Sequence, residues 1–333
     1  MQVTIKVIAQ QLGLDPSTVS RALAGKPDVA RATRQRVIEM AQQLNYTPNL
    51  WAQNLVGTAS NWIGCLVLDL SNPFYVPLVR AMEDIAEQNG YIIFLGESRR
   101  QLHTEKNLID RFRRVKAAGV ILSPVLADLS HLQVLQEEKI PMVIVGRTVA
   151  GFDSVNVDNF RSGYLVGQYL LGWGHRQIGF IYSGDPFNTL EGERLRGLKA
   201  ALSEAQVSLD WEIIVGNNEI TGGELGAQKW LDNPNRPSAV FCSNDMLAMG
   251  FITQITRWGM SIPEDISVVG HDNVPFAGIF KTPLTTVKFS TDQMGQKAME
   301  ILLERMRAKN CQNSPQTILL EPEIVVRSSC MAR

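Results

Sequence analysis

Short apolar runs alternate with amphipathic segments through most of this chain, and this alternation constrains its fold more than any other feature. The first stretch predicts strands at 62–68, 91–96, 119–123 and 141–145, with helices at 76–88, 102–115 and 129–138. After Asp153–Asp158 the alternation restarts, with helices at 161–173, 191–205, 222–232 and 245–258 and strands at 177–182, 211–215 and 238–243. The last third predicts strands near 266–270, 285–289, 316–320 and 323–327 and a helix at 291–308. Such βα repetition produces parallel sheets with helices on both faces, so the sequence predicts two α/β lobes in succession.

The composition agrees with a folded, water-soluble chain. Its 333 residues suffice for two or three domains, and the shares of hydrophobic (45%) and charged (20%) residues are those of globular proteins. No apolar run approaches the roughly 18 residues of a membrane span, and Gln10 and Gln11 interrupt the apolar residues that a signal peptide would need. Four scattered cysteines without a C-x-x-C pair predict buried, reduced thiols. We therefore expect a cytoplasmic protein with no membrane contact.

The sequence contains none of the common catalytic signatures. Lys26 lacks a preceding phosphate loop of the G-x-x-x-x-G-K form, no strand runs into a G-x-G-x-x-G turn, and no G-x-S-x-G elbow occurs. The four histidines never reach the H-E-x-x-H spacing of a zinc protease: His103, His131, His175 and His271. We expect these histidines to be surface or structural residues, and we expect no catalytic residue, no cofactor and no metal.

Residues 5–44 predict three short helices ahead of the α/β part. The first helix has an apolar stripe at i, i+3, i+4 and i+7, formed by Ile5, Ile8, Ala9 and Leu12. Asp15 followed by Pro16 is an N-cap with proline at the first helical position, so a second helix is expected to run to about residue 24. A third helix is expected at about 32–44.

The spacing of Ala9, Gly13 and Val19 fits a helix-turn-helix. That motif needs a small residue where the helices touch, a residue that turns without a Cβ clash four positions later, and an apolar residue six further on. Any three-helix mini-domain would also fit these three positions. The second helix, however, presents short hydrogen-bonding side chains and one guanidinium, which suit base edges and phosphates: Ser17, Thr18, Ser20 and Arg21.

The charge of the chain is divided unevenly. Residues 1–60 carry six Lys and Arg against three Asp and Glu, whereas the remainder carries 26 against 30. A small basic head therefore precedes a larger acidic body. This division favours nucleic acid as the partner of the head, although so small an excess is common.

Specific short segments occur in a fixed order along the chain. In the head and linker they are Thr4-Ile5-Lys6, Ser17-Thr18-Val19-Ser20-Arg21-Ala22-Leu23, Asn45-Tyr46-Thr47-Pro48-Asn49 and Ala52-Gln53-Asn54-Leu55. Further along they are Asp69-Leu70-Ser71-Asn72-Pro73-Phe74, Gly174-His175-Arg176, Arg194-Leu195-Arg196-Gly197, Ser243-Asn244-Asp245, Pro263–Gly270 and Pro283–Val287. From end to end, the chain thereby resembles the LacI/GalR family of bacterial transcriptional regulators.

The resemblance implies a fold of two parts joined by a hinge. An N-terminal all-α helix-turn-helix domain would span 1–46, a hinge linker with a hinge helix 47–60, and an effector-binding and dimerisation body 61–333. That body would be periplasmic-binding-protein-like, with two doubly wound α/β lobes at about 61–160 with 290–321 and about 161–289 with 322–333. The residue pattern alone predicts the head, the two lobes and an uncharged polar linker interrupted by Pro48. The crossovers between the lobes follow from the resemblance only.

The resemblance also implies which residues contact double-stranded DNA. In the head and hinge the matching positions are Thr4, Pro16, Ser17, Thr18, Ser20, Arg21, Asn49, Gln53, Asn54 and Leu55. Leu55 matches the family's hinge leucine, a wedge into the minor groove at the centre of a symmetric operator, although it could instead be an ordinary core leucine. Asn49 matches the start of the hinge helix. Pro16 occupies a position that often contacts a base, so the family's operator sequences do not transfer to this chain.

The family's effector site lies between the lobes, outside the carboxyl ends of the strands. The matching positions are Phe74, Tyr75, Arg147, Arg194, Asn244 and Asp272. An aromatic face, arginine forks, an amide and a carboxylate would suit a polyhydroxylated ligand. The aromatic pair could instead belong to the core, and Asp272 could cap a turn. Gly146, Asn218 and His271 depart from the family's usual residues, so the identity of the effector does not transfer.

These observations predict a repressor that binds a near-palindromic operator as a homodimer and responds to a small-molecule effector. Only three residues follow Cys330, so we expect no C-terminal heptad helix to join dimers into tetramers. A sugar-binding receptor without DNA function is the main alternative, since the body alone would fit one. A regulator that responds to a nucleobase or nucleoside is another. An enzyme on an α/β scaffold is disfavoured by the missing signatures.

Overall fold

The computed structural model of the protein describes residues 3–23, 25–46, 60–126, 128–184, 189–209, 211–308 and 314–333. The chain forms two compact units, Met1–Ala59 and Ser60–Arg333. The first is helical, and the second contains every strand that these residues form.

The smaller unit is a three-helix domain. Its helices begin and end within one residue of the predicted positions: α1 Ile5–Leu12, α2 Pro16–Leu23 and α3 Arg31–Gln43. A common apolar core joins them, formed by Ile8, Ala9, Val19, Ala22, Val29, Val37 and Ala41. The predicted head is confirmed, and because the apolar residues of α2 face this core, its polar residues lie on the outside.

The larger unit contains two six-stranded sheets. The first consists of β1 Trp62–Val67, β2 Ile92–Glu97, β3 Gly119–Leu122, β4 Met142–Val145, β5 Asp153–Val157 and β11 Thr317–Leu320. The second consists of β6 Ile178–Tyr182, β7 Trp211–Ile214, β8 Ala239–Cys242, β9 Ser267–His271, β10 Thr285–Lys288 and β12 Glu323–Val325. The strand orders are β11-β5-β4-β3-β1-β2 and β12-β10-β9-β8-β6-β7. Neighbouring strands are parallel, except that β12 runs antiparallel to β10.

Each sheet has apolar cores on both of its faces, as a doubly wound sheet requires. On β1, Cys65 belongs to one core and Leu66 to the other. On β8, Cys242 belongs to one core and Phe241 to the core on the opposite face. The helices that cover the faces are α4 Tyr75–Gln88, α5 Leu102–Arg114, α6 Gln133–Glu137, α7 Asn159–Gly172, α8 Thr189–Glu204, α9 Ile220–Asp232, α10 Asp245–Arg257 and α11 Thr291–Arg307.

Two elements differ from the sequence prediction. The segment Asp153–Val157 was not predicted as a strand, yet it forms β5 between β4 and β11. Two of its buried residues, Ser154 and Asn156, are polar, so the segment lacks the apolar run that marks a buried strand. Both are paired in the structure: Ser154 Oγ lies 3.2 Å from Thr317 Oγ1, and Asn156 Oδ1 accepts the Val157 N–H. The helix predicted at 129–138 is a short 3₁₀ turn followed by the five-residue α6.

The cysteines in the described residues are reduced and buried, as predicted. Cys65, Cys242 and Cys330 are free thiols inside the cores, and Cys311 lies outside the described residues. Burial raises the pKa of Cys65 to about 12 and that of Cys330 to about 11, so neither is a reactive thiolate. Within the described part of the chain, none of the helices combines the length and apolar character that crossing a membrane requires.

Candidate functional site

The exposed face of α2 carries the residues predicted to read DNA. Ser17 and Arg21 are exposed and Thr18 is partly exposed, whereas Val19 on the opposite face is fully buried. Asp15 begins the helix, since its Oδ1 accepts the Ser17 N–H at 2.8 Å. Hydrogen bonds from the Ser17 hydroxyl and N–H lower the pKa of Asp15, so its charge also suits the positive helix terminus. α2 thus presents a preformed polar edge.

The turn before α2 has the geometry that the spacing predicted. Gly13 ends α1 in the left-handed conformation (φ +64°), and the Leu14 N–H donates to the Ala9 carbonyl at 3.0 Å. A residue with a Cβ would be strained at this φ. Ala9 and Val19 are both buried at the contact between α1 and α2. The helix-turn-helix geometry is therefore present in the described residues.

Arg21 already has an anionic partner in the isolated protein. Its guanidinium forms an ion pair with the carboxylate of Asp28, and both side chains remain substantially exposed. An exposed pair of this kind is weak, so a phosphate or base edge could replace Asp28. Thr4 and Pro16 are exposed and Ser20 is partly exposed, so these predicted DNA contacts are also accessible. Asn49, Gln53, Asn54 and Leu55 lie outside the described residues.

A cavity in the larger unit lies where strands of both sheets end. It encloses about 910 Å³ of space between atoms, including its open mouth. All six residues predicted for the effector line it: Phe74, Tyr75, Arg147, Arg194, Asn244 and Asp272. Of the positions that depart from the family pattern, Gly146 and Asn218 also line the cavity. The convergence follows from topology, because the carboxyl ends of parallel strands meet at one edge of a sheet.

The aromatic side of the cavity is one connected cluster. The ring of Phe74 lies 4.9 Å from that of Tyr75 and 5.9 Å from that of Phe289, measured between centroids. Asn72 fixes the start of α4, since its Oδ1 accepts the Phe74 N–H at 3.0 Å. Burial raises the pKa of Tyr75 to about 12, so its hydroxyl stays protonated. The rings belong to the first core and also present apolar surface to a ligand, so the two interpretations of this pair are compatible.

Arg194 is a buried cation held in place by the protein. Its Nε donates to Asn159 Oδ1 at 2.8 Å, and its Nη1 donates to the Ser243 carbonyl. Burial lowers its pKa, and the nearby charge of Asp272 opposes that effect. Two protein acceptors fix the plane of the guanidinium, so it can bind a ligand without a further loss of side-chain entropy.

Asp272 occupies a strained backbone position beside the cavity. Its φ is +107°, which is rare for a residue with a side chain, and its Oδ1 lies 2.8 Å from His271 Nδ1. His271 is fully buried, and burial together with the charge of Arg194 lowers its pKa to about 4, so the ring is neutral and its Nδ1–H donates to Asp272. Strain of this kind persists where the surrounding structure enforces it, and it is common at ligand sites.

Two further buried carboxylates support the cavity. Glu191 accepts the N–H and hydroxyl of Ser183 at 3.1 and 2.6 Å and the hydroxyl of Ser243 at 2.8 Å. Asp245 accepts from Thr286 Oγ1 at 2.6 Å and from the backbone of β9's exit loop. Burial, followed by the charge of Asp272, raises the pKa of Asp245 well above its usual range. Both carboxylates are satisfied by protein donors and so stabilise the second lobe's edge of the cavity.

The sequence did not assign several of the lining residues to the effector site: Asn72, Arg100, Ser123, Asn156, Asn159, Glu191, Ser243 and Phe289. Three of them share one signal, since Arg100 lies in the loop after β2, Ser123 follows β3 and Ser243 follows β8. Polar residues just after parallel strands are therefore the positions to examine. In the described residues, no group of three or more His, Cys, Asp and Glu is placed to hold a metal ion.

The two parts of the chain match two family descriptions. Residues 4–49 match the bacterial regulatory proteins of the lacI family, and residues 168–330 match a periplasmic binding protein-like domain. The HTH-type transcriptional repressor PurR of Actinobacillus pleuropneumoniae serotype 3 (strain JL03) is 32% identical over 329 residues, which cover 98% of each chain. The chain belongs to the LacI family. It is a DNA-binding repressor modulated by a small effector, in a family of transcriptional regulators rather than enzymes.

Solved structures of LacI family proteins share this fold. A lac repressor dimer bound to operator and the anti-inducer ONPF has a TM-score of 0.86 at 25% identity, with 100% of both chains covered. A LacI family regulator from Enterococcus faecium with bound ribose has a TM-score of 0.74 at 29% identity, covering 82% of this chain and 99% of that one. The fold of helix-turn-helix head and two-sheet body is thus that of the LacI family.

Not every LacI family segment in the sequence belongs to a binding site. In Gly174-His175-Arg176, the His175 ring lies 2.8 Å from Ser238 Oγ and 3.1 Å from both Ser267 Oγ and the Met331 carbonyl. Burial lowers the pKa of His175, so the neutral ring links the residue before β8, β9 and the end of the chain. This motif is structural, as predicted for the histidines.

Proposed function

We propose that the protein is a homodimeric repressor of a near-palindromic operator, acting in the bacterial cytoplasm on the nucleoid. Its effector is a polyhydroxylated small molecule, a sugar or sugar derivative, that binds in the cavity between the two sheets. The observation that carries the proposal is that six residues chosen from sequence alone, Phe74, Tyr75, Arg147, Arg194, Asn244 and Asp272, line one cavity. Binding there changes operator affinity.

The distribution of side chains around the cavity favours a sugar. Three aromatic residues that pack together in a core of the first sheet, Phe74, Tyr75 and Phe289, supply a face for C–H groups. Apart from Phe289, the described lining residues from the second lobe supply mainly polar groups: amides, carboxylates and a guanidinium. A sugar ring has an apolar face and equatorial hydroxyls, which match such a two-sided cavity. A planar nucleobase is better held between two aromatic faces, and Asn218 stands where several family members have a stacking aromatic.

Two kinds of observation support a homodimer. The similar lac repressor binds its operator as a dimer, and a two-fold protein suits a site with two half-sites. The edge strand β2 also exposes large apolar residues, with Ile92 at 43%, Phe94 at 37% and Leu95 at 38% exposure, and Val76 of α4 is exposed at 53%. Exposed apolar residues on an unpaired edge indicate an association surface.

In the head, we propose that α2 is the recognition helix. Ser17, Thr18 and Arg21 would meet base edges and phosphates in the major groove, supported by Thr4, Pro16 and Ser20. We propose that Asn49, Gln53, Asn54 and Leu55 form the hinge contacts, a proposal that rests on the sequence alone.

Mobility-shift assays on the promoter DNA test the first half of the proposal. The full chain should shift the DNA specifically, whereas residues 61–333 alone should not. A full chain that binds no promoter fragment more tightly than random DNA at the same salt concentration would favour the receptor alternative.

Thermal-shift screening against sugars, sugar acids, polyols, nucleosides and purines tests the second half. A sugar-class hit should be lost in Arg194→Ala and Asp272→Ala, because each truncation leaves a buried polar partner unpaired. Arg236→Ala is the control, since Arg236 lies over Trp230 away from the cavity. A nucleobase hit would replace the proposed effector class, and unchanged affinity in both variants would relocate the site.

A further inference from the structure

Arg100 is a cavity-lining cation that lies outside the set of predicted ligand residues. It lies in the loop that follows β2, and its side chain is exposed. It forms no hydrogen bond or ion pair with any residue in the described part of the chain. Its charge also acts on Tyr75, where it opposes the rise of the tyrosine's pKa that burial causes. The guanidinium is therefore near the aromatic side of the cavity and available to a ligand.

The turn that carries Arg100 is held in an unusual conformation. Arg99 and Arg100 both adopt left-handed backbone angles, with φ of +52° and +57°. Ser98 is fully buried, its N–H donates to the Val67 carbonyl at 2.9 Å, and its own carbonyl accepts the Gln101 N–H at 3.0 Å. Consecutive side-chain-bearing residues rarely occupy this region. The hydrogen bonds of Ser98 to β1 and to Gln101, the residue just before α5, thus fix the direction from which Arg100 reaches the cavity.

The charges of the described lining residues do not balance. Arg100, Arg147 and Arg194 are the guanidinium groups, and Glu191 and Asp272 are the carboxylates. Glu191 is already occupied by Ser183 and Ser243, and Asp272 by His271, as described above. Neither carboxylate is paired with Arg100. A guanidinium on a concave surface attracts carboxylate or phosphate oxygens, which it can bind with two parallel hydrogen bonds.

We propose that Arg100 binds an anionic group of the effector, so that the effector is a sugar acid or a sugar phosphate rather than a neutral sugar. This inference rests on the proposed sugar-class function of the cavity and makes it narrower. The polyhydroxylated part of the ligand lies between the aromatic cluster and Asp272. Its carboxylate or phosphate points towards the loop after β2.

Calorimetry of the full-length protein with matched ligand pairs tests the proposal. Each pair combines a neutral sugar with its acid or phosphate: glucose with gluconate, glucuronate and glucose 6-phosphate, ribose with ribose 5-phosphate, and fructose with fructose 6-phosphate. At least one anionic member should bind about tenfold or more tightly than its neutral partner, and its affinity should fall as salt is added. Carboxylate and phosphate members of the panel distinguish the two sources of negative charge.

The variants Arg100→Gln and Arg100→Gly assign the effect to this side chain. Both should weaken the anionic ligand about 10- to 100-fold and leave the neutral partner's affinity unchanged, because one charged hydrogen-bonding group is lost. Arg100→Gly guards against misfolding, since glycine adopts the left-handed conformation without strain. Arg99→Gln is the matched control: it removes the neighbouring charge from the same turn, but Arg99 pairs with Glu97 and does not line the cavity.

Several outcomes would overturn the assignment, including an anion preference that is unchanged in Arg100→Gln. A neutral sugar that binds as tightly as its anionic partner, with equal affinity in Arg100→Gln, overturns the role of Arg100 but leaves the proposed sugar-class function intact. An equal loss in Arg99→Gln overturns the specific assignment, since a general charge effect would then explain it. If no member of the panel binds and the thermal-shift screen finds only purines or nucleosides, both the proposed effector class and this inference are wrong.

Discussion

At the scale of single residues, Arg21 must give up its ion pair with Asp28 in order to contact DNA. In the free protein it is paired with Asp28 on the exposed side of the head. We predict that Arg21→Ala weakens operator binding by roughly 1–3 kcal/mol, the range for a base-contacting arginine. Asp28→Ala should bind the operator as tightly as the wild type or more tightly, because it removes only the competing anion. Titrations at one fixed salt concentration measure both variants, and equal affinity of Arg21→Ala and wild type would contradict the placement of this residue.

His271 makes the stability of the larger unit depend on pH. Its pKa falls from the ordinary 6.5 to about 4 in the folded protein, because it is buried and faces the charge of Arg194. Between these two values the unfolded chain binds more protons than the folded chain, so stability falls as the pH is lowered through this window, by at most roughly 3 kcal/mol. Asp245 acts in the opposite direction, since its pKa is raised. The contribution of His271 to the free energy of unfolding is therefore obtained by comparing the wild type with a variant that lacks this histidine.

We expect urea unfolding of wild type and His271→Asn to diverge in its pH dependence. The wild type should lose stability relative to the variant from about pH 6.5 to about pH 4, while the contribution of Asp245 largely cancels. Tryptophan fluorescence reports the larger unit, because Trp51 is the only tryptophan before residue 60. Any constant offset from the smaller asparagine does not affect this test. Parallel stability curves across the window would show that the ring titrates normally.

The residues of the cavity illustrate what the sequence can reveal. Phe74, Arg194 and Asp272 stand out because each lies in a family-specific segment or directly after a strand. Asn159 and His271 were not assigned a role in holding the site, since their importance comes from contacts distant in the chain: Asn159 accepts from Arg194, and His271 donates to Asp272. Such pairings depend on how helices and strands pack, and no local pattern records them.

At the scale of secondary-structure elements, the contact between α7 and α8 positions Arg194. Gly163 of α7 faces the backbone of α8, and a Cβ at this position would overlap the Arg194 carbonyl oxygen. Gly197 of α8 meets the Phe160 carbonyl in the same way. The two glycines let the helices approach more closely than side chains would allow, and this approach sets the position of the Arg194 guanidinium relative to Asn159.

Gly163→Ala should therefore disturb both stability and ligand binding. We predict a loss of stability of about 1–3 kcal/mol, as for other overpacked sites, together with weaker effector binding as α8 moves away. Gly172→Ala, at the end of the same helix, has no atom within 4 Å of the added Cβ and should be neutral or slightly stabilising. Urea unfolding and calorimetry measure the two effects. Wild-type affinity in a destabilised Gly163→Ala protein would separate packing from the site.

The order of elements was predictable, but part of the sheet topology was not. Alternation of apolar runs with helices predicts eleven of the twelve described strands, whereas β5 escapes because two of its five residues are buried and polar. Periodicity also gives no indication that β11 pairs with β5, although the structure places Thr317 in register with Ser154, 163 residues earlier. These pairings lie among residues far apart in sequence, so the chain's local pattern cannot specify them.

At the scale of the whole molecule, two chemically different sites reside in separate compact units. The head carries a basic helix-turn-helix, and the body carries a cavity for a small polar molecule. For one site to affect the other, effector binding must change a state of the protein that DNA also favours or disfavours. In the sequence, residues 47–59 stand between the predicted helices of the head and the first strand of the body, and they carry no charged side chain, so salt bridges within this segment cannot supply the coupling.

We propose that Leu55 is where this coupling takes place. A helix at 49–56 is shorter than the roughly 12–15 residues that an isolated helix needs, so its formation should await DNA and the partner's hinge. Two leucine wedges would then unstack the central base step, at a cost of a few kcal/mol that contacts from both heads offset. An effector that alters the distance between the two hinges changes whether these helices can form together, and it thereby changes operator affinity.

Leu55→Ala should consequently weaken specific operator binding and reduce the effector-induced change in affinity. The body should still bind effector with wild-type affinity, since its cavity is formed by other residues. Val56→Ala removes apolar surface from the adjacent position and serves as the control, with wild-type behaviour expected. The measurement is operator affinity with and without effector for all three proteins at one salt concentration. An unchanged ratio of the two affinities in Leu55→Ala would show that the signal reaches the head by a route other than this side chain.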